Sequence, residues 1–182
     1  MRSRNATSAV ALALLIWPST AATDEPALPS GRTALVVLSS KDSHIREQGL
    51  RRISSAKEWR NLWLEHVGDK YDTIHRPSME IDFEQCMVIA IFGGDTYASW
   101  GYRVEEVREN ESAVFLRYSN ISYQTGYTVG ENAEEPAGTH DATPFAFVVL
   151  RKSKKLVVVE ETTHTMDGKH PTREVARLAP PT

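Results

Sequence analysis

The amino-acid sequence predicts an α+β domain: a mostly antiparallel β-sheet of six to seven strands with one main helix packed against it. Three observations lead there. Only the stretch from Ser55 to Gly68 combines a helix-start signal with helical spacing of its apolar residues. Cys86 to Phe92 (Cys-Met-Val-Ile-Ala-Ile-Phe) is apolar on both alternating faces, as in a strand covered above and below. Around these, short β-rich runs are separated by Gly, Asn and charged clusters of the kind that form turns.

Residues 1–22 read as a signal peptide. Arg2 and Arg4 give a positive start, Ala9 to Trp17 is wholly apolar, and Pro18 precedes the small residues Ser19-Thr-Ala-Ala22. As a helix, nine apolar residues would reach about 14 Å, against about 30 Å of bilayer hydrocarbon, so stable membrane insertion is not expected. The expected localisation is secreted or periplasmic. Residues 23–32, with Pro26, Pro29 and Gly31, read as a flexible lead.

The domain itself is expected over residues 33–161. Thr33 to Ser39 is a first strand, and a second, short one runs from near Gly49 to Ile53. Ser55-Ala-Lys-Glu58 then fits a capping box, in which serine and glutamate each satisfy an otherwise unpaired N–H of the first helical turn. Trp59, Leu62, Trp63 and Val67 form one apolar stripe, and Gly68 ends the helix. Asp69 to Ser78 reads as a loop before the Cys86–Phe92 strand. Beyond Gly93-Gly94 the pattern alternates: Tyr102 and Val104 face the core while Arg103 and Glu105 face out, and Val114, Leu116 and Tyr118 continue the core face after a hairpin through Glu109-Asn110-Glu111. Ser122 to Thr143 is a long, acidic, glycine-containing loop. Pro144–Leu150 and Lys155–Glu160 are two further strands, joined by a turn over Arg151 to Lys154. The basic residues Arg151, Lys152, Lys154 and Lys155 read as the solvated end of that hairpin. Residues 162–182 read as a polar C-terminal tail.

Charge and cysteine content exclude some functions. The chain of 182 residues carries 21 Lys and Arg against 24 Asp and Glu, a formal −3; loss of Arg2 and Arg4 with the signal peptide leaves 19 against 24, near −5. A mildly acidic chain without a basic stripe does not suit nucleic acid. One cysteine permits no internal disulfide framework.

Several landmarks occur together and in order: Ile53-Ser-Ser-Ala-Lys-Glu-Trp59 with Leu62-Trp63, Ile81-Asp-Phe83 leading into Met87-Val-Ile89, Phe92-Gly-Gly94, Gly101-Tyr-Arg-Val104, and Pro136-Ala-Gly138 ahead of Thr143-Pro-Phe145. This ordered set, over roughly residues 33–160, resembles the PrcB C-terminal domain family, accessory subunits of an exported protease complex. The resemblance implies association with an exported protease. One segment departs from it: where such domains show a compact Thr-Gly-Gly-Tyr turn, this chain has Thr96-Tyr-Ala-Ser-Trp-Gly-Tyr102, with two extra aromatics.

That segment supplies the candidate site. Tyr97, Ser99, Trp100 and Gly101 lie between two strands, with Gly94 and Gly101 flanking Tyr97 and Trp100. Aromatics on a short glycine-hinged turn suit a partner-binding surface, and the alternative is that Trp100 folds back as a lid on the core. Other residues give no catalytic or metal constellation. Cys86 opens an apolar strand and reads as a buried, inert thiol. His44, His66, His75, His140, His164 and His170 fall in predicted loops or on the helix surface without ligand spacing, so no metal is expected. Asp82 reads as a turn cap, and Glu131, Glu134 and Glu135 as a solvated loop.

The function expected from these residues is an exported, non-enzymatic protein-binding domain that uses no cofactor. Its expected partner is another exported protein. A hydrolase with a site near the 122–143 loop, and a structural envelope protein, are the alternatives.

Overall fold

Helix formation starts where the sequence places it. The Ser55 hydroxyl accepts the Glu58 amide N–H at 3.3 Å, and the Glu58 carboxylate reaches back to the Ser54 amide at 2.8 Å, closing the first turn of α1 (Ala56–Val67). Gly68 ends it with a φ of 54° and donates its N–H to the Leu64 carbonyl. The computed structural model to which these residues belong describes positions 31–32, 34–68, 79–96, 98–122, 142–165 and 167–181. The segment read as a signal peptide, the stretch 69–78 and nearly all of the stretch 122–143 lie outside the described residues.

The α+β class holds, with two sheets in place of one. Strands β2 (Val36–Ser40), β3 (Gln48–Ile53), β4 (Cys86–Gly93) and β7 (Phe145–Arg151) form a four-stranded antiparallel sheet in the order β2-β7-β4-β3. Strands β1 (Gly31–Arg32), β5 (Ser99–Glu109), β6 (Ala113–Ser122), β8 (Leu156–Thr162) and β9 (Thr172–Leu178) form a second sheet in the order β1-β5-β6-β8-β9. The layers are therefore helix, four-stranded sheet, five-stranded sheet.

The all-apolar β4 lies at the centre of this stack. Its Val88, Ala90 and Phe92 join Phe145, Phe147 and Val149 of β7 beneath Trp59, Leu62 and Trp63 of the helix. Its Met87, Ile89 and Ile91 point the other way, against Val114, Leu116, Val157 and Val159 of the second sheet. Two faces, two cores: that is why the sequence of β4 shows no alternation. Tyr102 and Val104 do face the second core, and the β5–β6 hairpin turns at Asn110, whose side-chain oxygen accepts the N–H groups of Ser112 and Ala113. Asp82 caps its turn by accepting the Glu84 amide at 2.9 Å.

Four expectations need correction. Strands β7 and β8 do not form a hairpin: β7 belongs to the four-stranded sheet, and β8 pairs with β6 in parallel, Val114 opposite Val157. The basic residues between them are accordingly not all solvated, since Lys152 donates to the Phe83 carbonyl at 2.7 Å and Lys155 pairs with Glu109 at 2.9 Å. The polar 162–182 tail contains β9, which closes the sheet edge by pairing with β8; its apolar contribution is limited to Val175, Ala176 and Leu178, too sparse to stand out in sequence. Gly31 and Arg32, read as flexible lead, pair with β5 opposite Arg108 and Val107.

Candidate functional site

The segment singled out in the sequence is the entry of β5. Between Ser99, opposite Ser122, and Tyr102, opposite Asn120, β5 holds one more residue than its partner strand, which makes a β-bulge at Trp100-Gly101. A bulge re-aims a side chain, and here the side chain is an indole. Trp100 is 53% exposed while Ser99 beside it is fully buried. The Lys41 ammonium stands 5.0 Å from the ring centre, within cation–π range.

The bulge is firmly held from below. Ser99 Oγ donates to the Asn120 side-chain oxygen at 2.7 Å and accepts the Gly101 amide at 3.1 Å. Ser39 Oγ, at the edge of the other sheet, accepts the Tyr102 amide at 2.7 Å and donates to the Phe145 carbonyl at 3.0 Å. Gly101 has a φ of 113°, and a Cβ there would meet the Ser39 hydroxyl and lie 3.0 Å from the Ser40 backbone N and O. Glycine is therefore required twice over, by conformation and by the close approach of β2.

Of the four predicted partner-binding residues, then, Trp100 is presented to solvent. Ser99 and Gly101 are buried, so their place on the contact surface is corrected: they anchor the bulge that presents Trp100. Tyr97 lies outside the described residues. The lid reading of Trp100 does not fit its exposure.

Sequence reading missed what lies next to the bulge. Strand β2 is the edge of the four-stranded sheet, and at its start Leu35, Val36 and Val37 are 49%, 46% and 41% exposed. Lys41, over Trp100, follows directly on the last residue of this strand. An exposed tryptophan and an edge strand with an exposed apolar start are thus joined through Ser39, Ser40 and Lys41. The run of apolar residues was visible in the sequence; which neighbour would leave them uncovered was not.

Polar groups elsewhere form three constellations. Ser43 Oγ lies 2.9 Å from His66 Nδ1, a pairing that suggests nucleophile and base. His66, however, is buried, not on the helix surface as expected, with its ring 4.2 Å from that of Phe145, and burial lowers its pKa to about 4. An imidazole so weakly basic is a poor general base near neutrality. Secondly, a cleft of about 350 Å³ opens between β3 and β9, where Tyr102, Tyr118 and Glu161 meet Leu50 and Ile91. Burial, and after it the Glu161 charge, push the Tyr102 hydroxyl up to about 12 and raise that of Tyr118, so both stay protonated donors. Thirdly, His164 at the β8 end contacts Glu105 and His170.

Cys86 is half-buried rather than buried, packed against the helix-side core at the first position of β4. Among the described residues, no group of three His, Cys, Asp or Glu side chains is arranged to hold a metal ion. His75, His140, Glu131, Glu134 and Glu135 lie outside the described residues.

No protein-family model matches this chain, and neither does any curated protein or solved structure.

Proposed function

We propose that this chain is an exported, non-enzymatic protein-binding domain whose contact surface centres on Trp100 and the neighbouring edge strand β2. The observation that carries this reading is the contrast within three consecutive residues: Trp100 is 53% exposed on a bulge, and Ser99 and Gly101 on either side are buried and hydrogen-bonded. An exposed tryptophan on a rigid mount loses little freedom on binding and buries a large apolar area, which is why tryptophan dominates interface energetics. The start of β2, where Leu35, Val36 and Val37 are exposed, adds apolar area for a partner.

The partner class is another exported protein. Residues 1–22 support export by their signal-peptide pattern, and the resemblance of the ordered landmarks to the PrcB C-terminal domain family supports an accessory or regulatory role beside an extracytoplasmic protease. No helix of the described residues is long and apolar enough to cross a membrane.

The test is comparative. Mature protein immobilised as bait in the extracytoplasmic fraction of the native host is expected to retain a protein that the Trp100→Ala variant, matched for melting temperature, retains at least tenfold less well. A partner retained equally by both would remove Trp100 from the interface, and retention of none would defeat the binding-domain reading.

A further inference from the structure

On the outer side of the five-stranded sheet, the loop between β8 and β9 brings two imidazoles together. His164 Nδ1 and His170 Nδ1 are 2.9 Å apart, their ring centres are 4.6 Å apart, and the ring planes cross at 67°. The other nitrogen of His164, Nε2, lies 3.2 Å from a Glu105 carboxylate oxygen. Glu105 in turn is held by the hydroxyls of Ser119 and Thr162, both buried.

This second contact decides the tautomer. A carboxylate accepts only, so His164 donates Nε2–H to Glu105, and in the neutral ring the lone pair of Nδ1 then turns toward His170. A carboxylate behind a histidine, itself fixed by further hydrogen bonds, is the arrangement that orients metal-ligating imidazoles. With His170 in its Nε2–H form, a second lone pair faces the first.

The spacing then gives the coordination angle. Imidazole nitrogens bind at about 2.0 Å, so two of them on one ion stand about 2.9 Å apart at a right angle and about 3.3 Å apart at a tetrahedral one. With about 1.15 Å from ring centre to nitrogen, the right-angled pair places the ring centres about 4.5 Å apart, whereas a head-on N–H···N contact would place them about 5.2 Å apart. Both observed values, 2.9 Å and 4.6 Å, match the right-angled pair. We infer that His164 and His170 are a bidentate site for a divalent cation of tetragonal preference, copper(II) first, with Glu105 as the residue that positions His164. The remaining coordination positions face solvent, since both histidines are exposed.

Copper(II) chloride titrated into the full chain without a purification tag tests this. The expected result is one tight equivalent, with an electron paramagnetic resonance spectrum of tetragonal type split by two nitrogens. His164→Ala and His170→Ala should each weaken that equivalent at least tenfold and leave one nitrogen coupling at most. Glu105→Gln, which still accepts from Nε2–H but carries no charge, should weaken it roughly tenfold with both couplings retained. Because the imidazoles are exposed, the melting temperature of the metal-free protein should not change in either histidine variant; His170→Gln is a second variant at the same position. Copper affinity that survives either histidine substitution, or a two-nitrogen spectrum that persists in one, overturns the site.

Discussion

The hydroxyl of Ser39 accepts the backbone N–H of Tyr102 at 2.7 Å, and so ties the edge strand of one sheet to the first regular residue of β5 in the other. The same oxygen donates to Phe145 on its own sheet, which makes Ser39 a rivet through three strands. Replacing it by alanine strands one amide donor in a half-buried position. Ser39→Ala should therefore lower stability by about 1–3 kcal/mol, read from the shift in urea midpoint at constant slope. A neutral effect would mean that water satisfies the Tyr102 amide and that the bulge is not held by this bond.

Two tryptophans of opposite exposure give a paired prediction. Trp63 is 4% exposed on the buried face of the helix and Trp100 is 53% exposed. Trp63→Ala should cost about 3–5 kcal/mol, the usual range for emptying a buried aromatic site. Trp100→Ala should cost no more than about 0.5 kcal/mol, as for a surface substitution. Thermal unfolding of both variants compares them directly, and a large fall for Trp100→Ala would return this residue to the core.

Gly101→Ala separates mount from contact. The alanine Cβ would meet Ser39 and Ser40 in a backbone conformation unfavourable to side chains, at a cost of roughly 2 kcal/mol or more. Stability should fall although no partner-facing atom is removed. If Gly101→Ala melts like the native protein, β2 and β5 are not packed as closely as described.

His66 makes stability depend on pH. Its folded-state pKa is lowered from 6.5 to about 4, with burial as the cause. The unfolded chain therefore binds the proton more readily, and protonation favours unfolding. The stabilising contribution is fully present above about pH 6.5 and is lost as the pH falls from there toward about 4, by roughly 2–3 kcal/mol. Urea midpoints at pH 4.5 and 7.5 for the native protein and for His66→Gln should show that the histidine accounts for much of the difference. An equal pH effect in both proteins would place the titrating group elsewhere.

How much was legible in the sequence depended on how local the determining interaction was. The helix was readable because capping and amphipathic spacing act within a few residues: Ser55, Glu58 and Gly68 hold its ends, and Trp59, Leu62 and Trp63 its buried face. Strand β4 was readable because burial on both faces writes itself as unbroken apolarity. The face assignment of Tyr102 and Val104 followed from the same two-residue period.

Only the tertiary structure decided which strands are neighbours. The sequence of β8 is the same whether it folds back on β7 or lies parallel to β6, because strand pairing is set by backbone bonds between distant segments rather than by the side-chain pattern. Strand β9, lean in apolar residues, became a strand because β8 offers it an edge. The site divides in the same way. That aromatics and glycines gather near position 100 was a property of the sequence. That Trp100 faces solvent while Ser99 and Gly101 are buried came from one extra residue against β6 and from the approach of Ser39, whose partner lies 63 residues away.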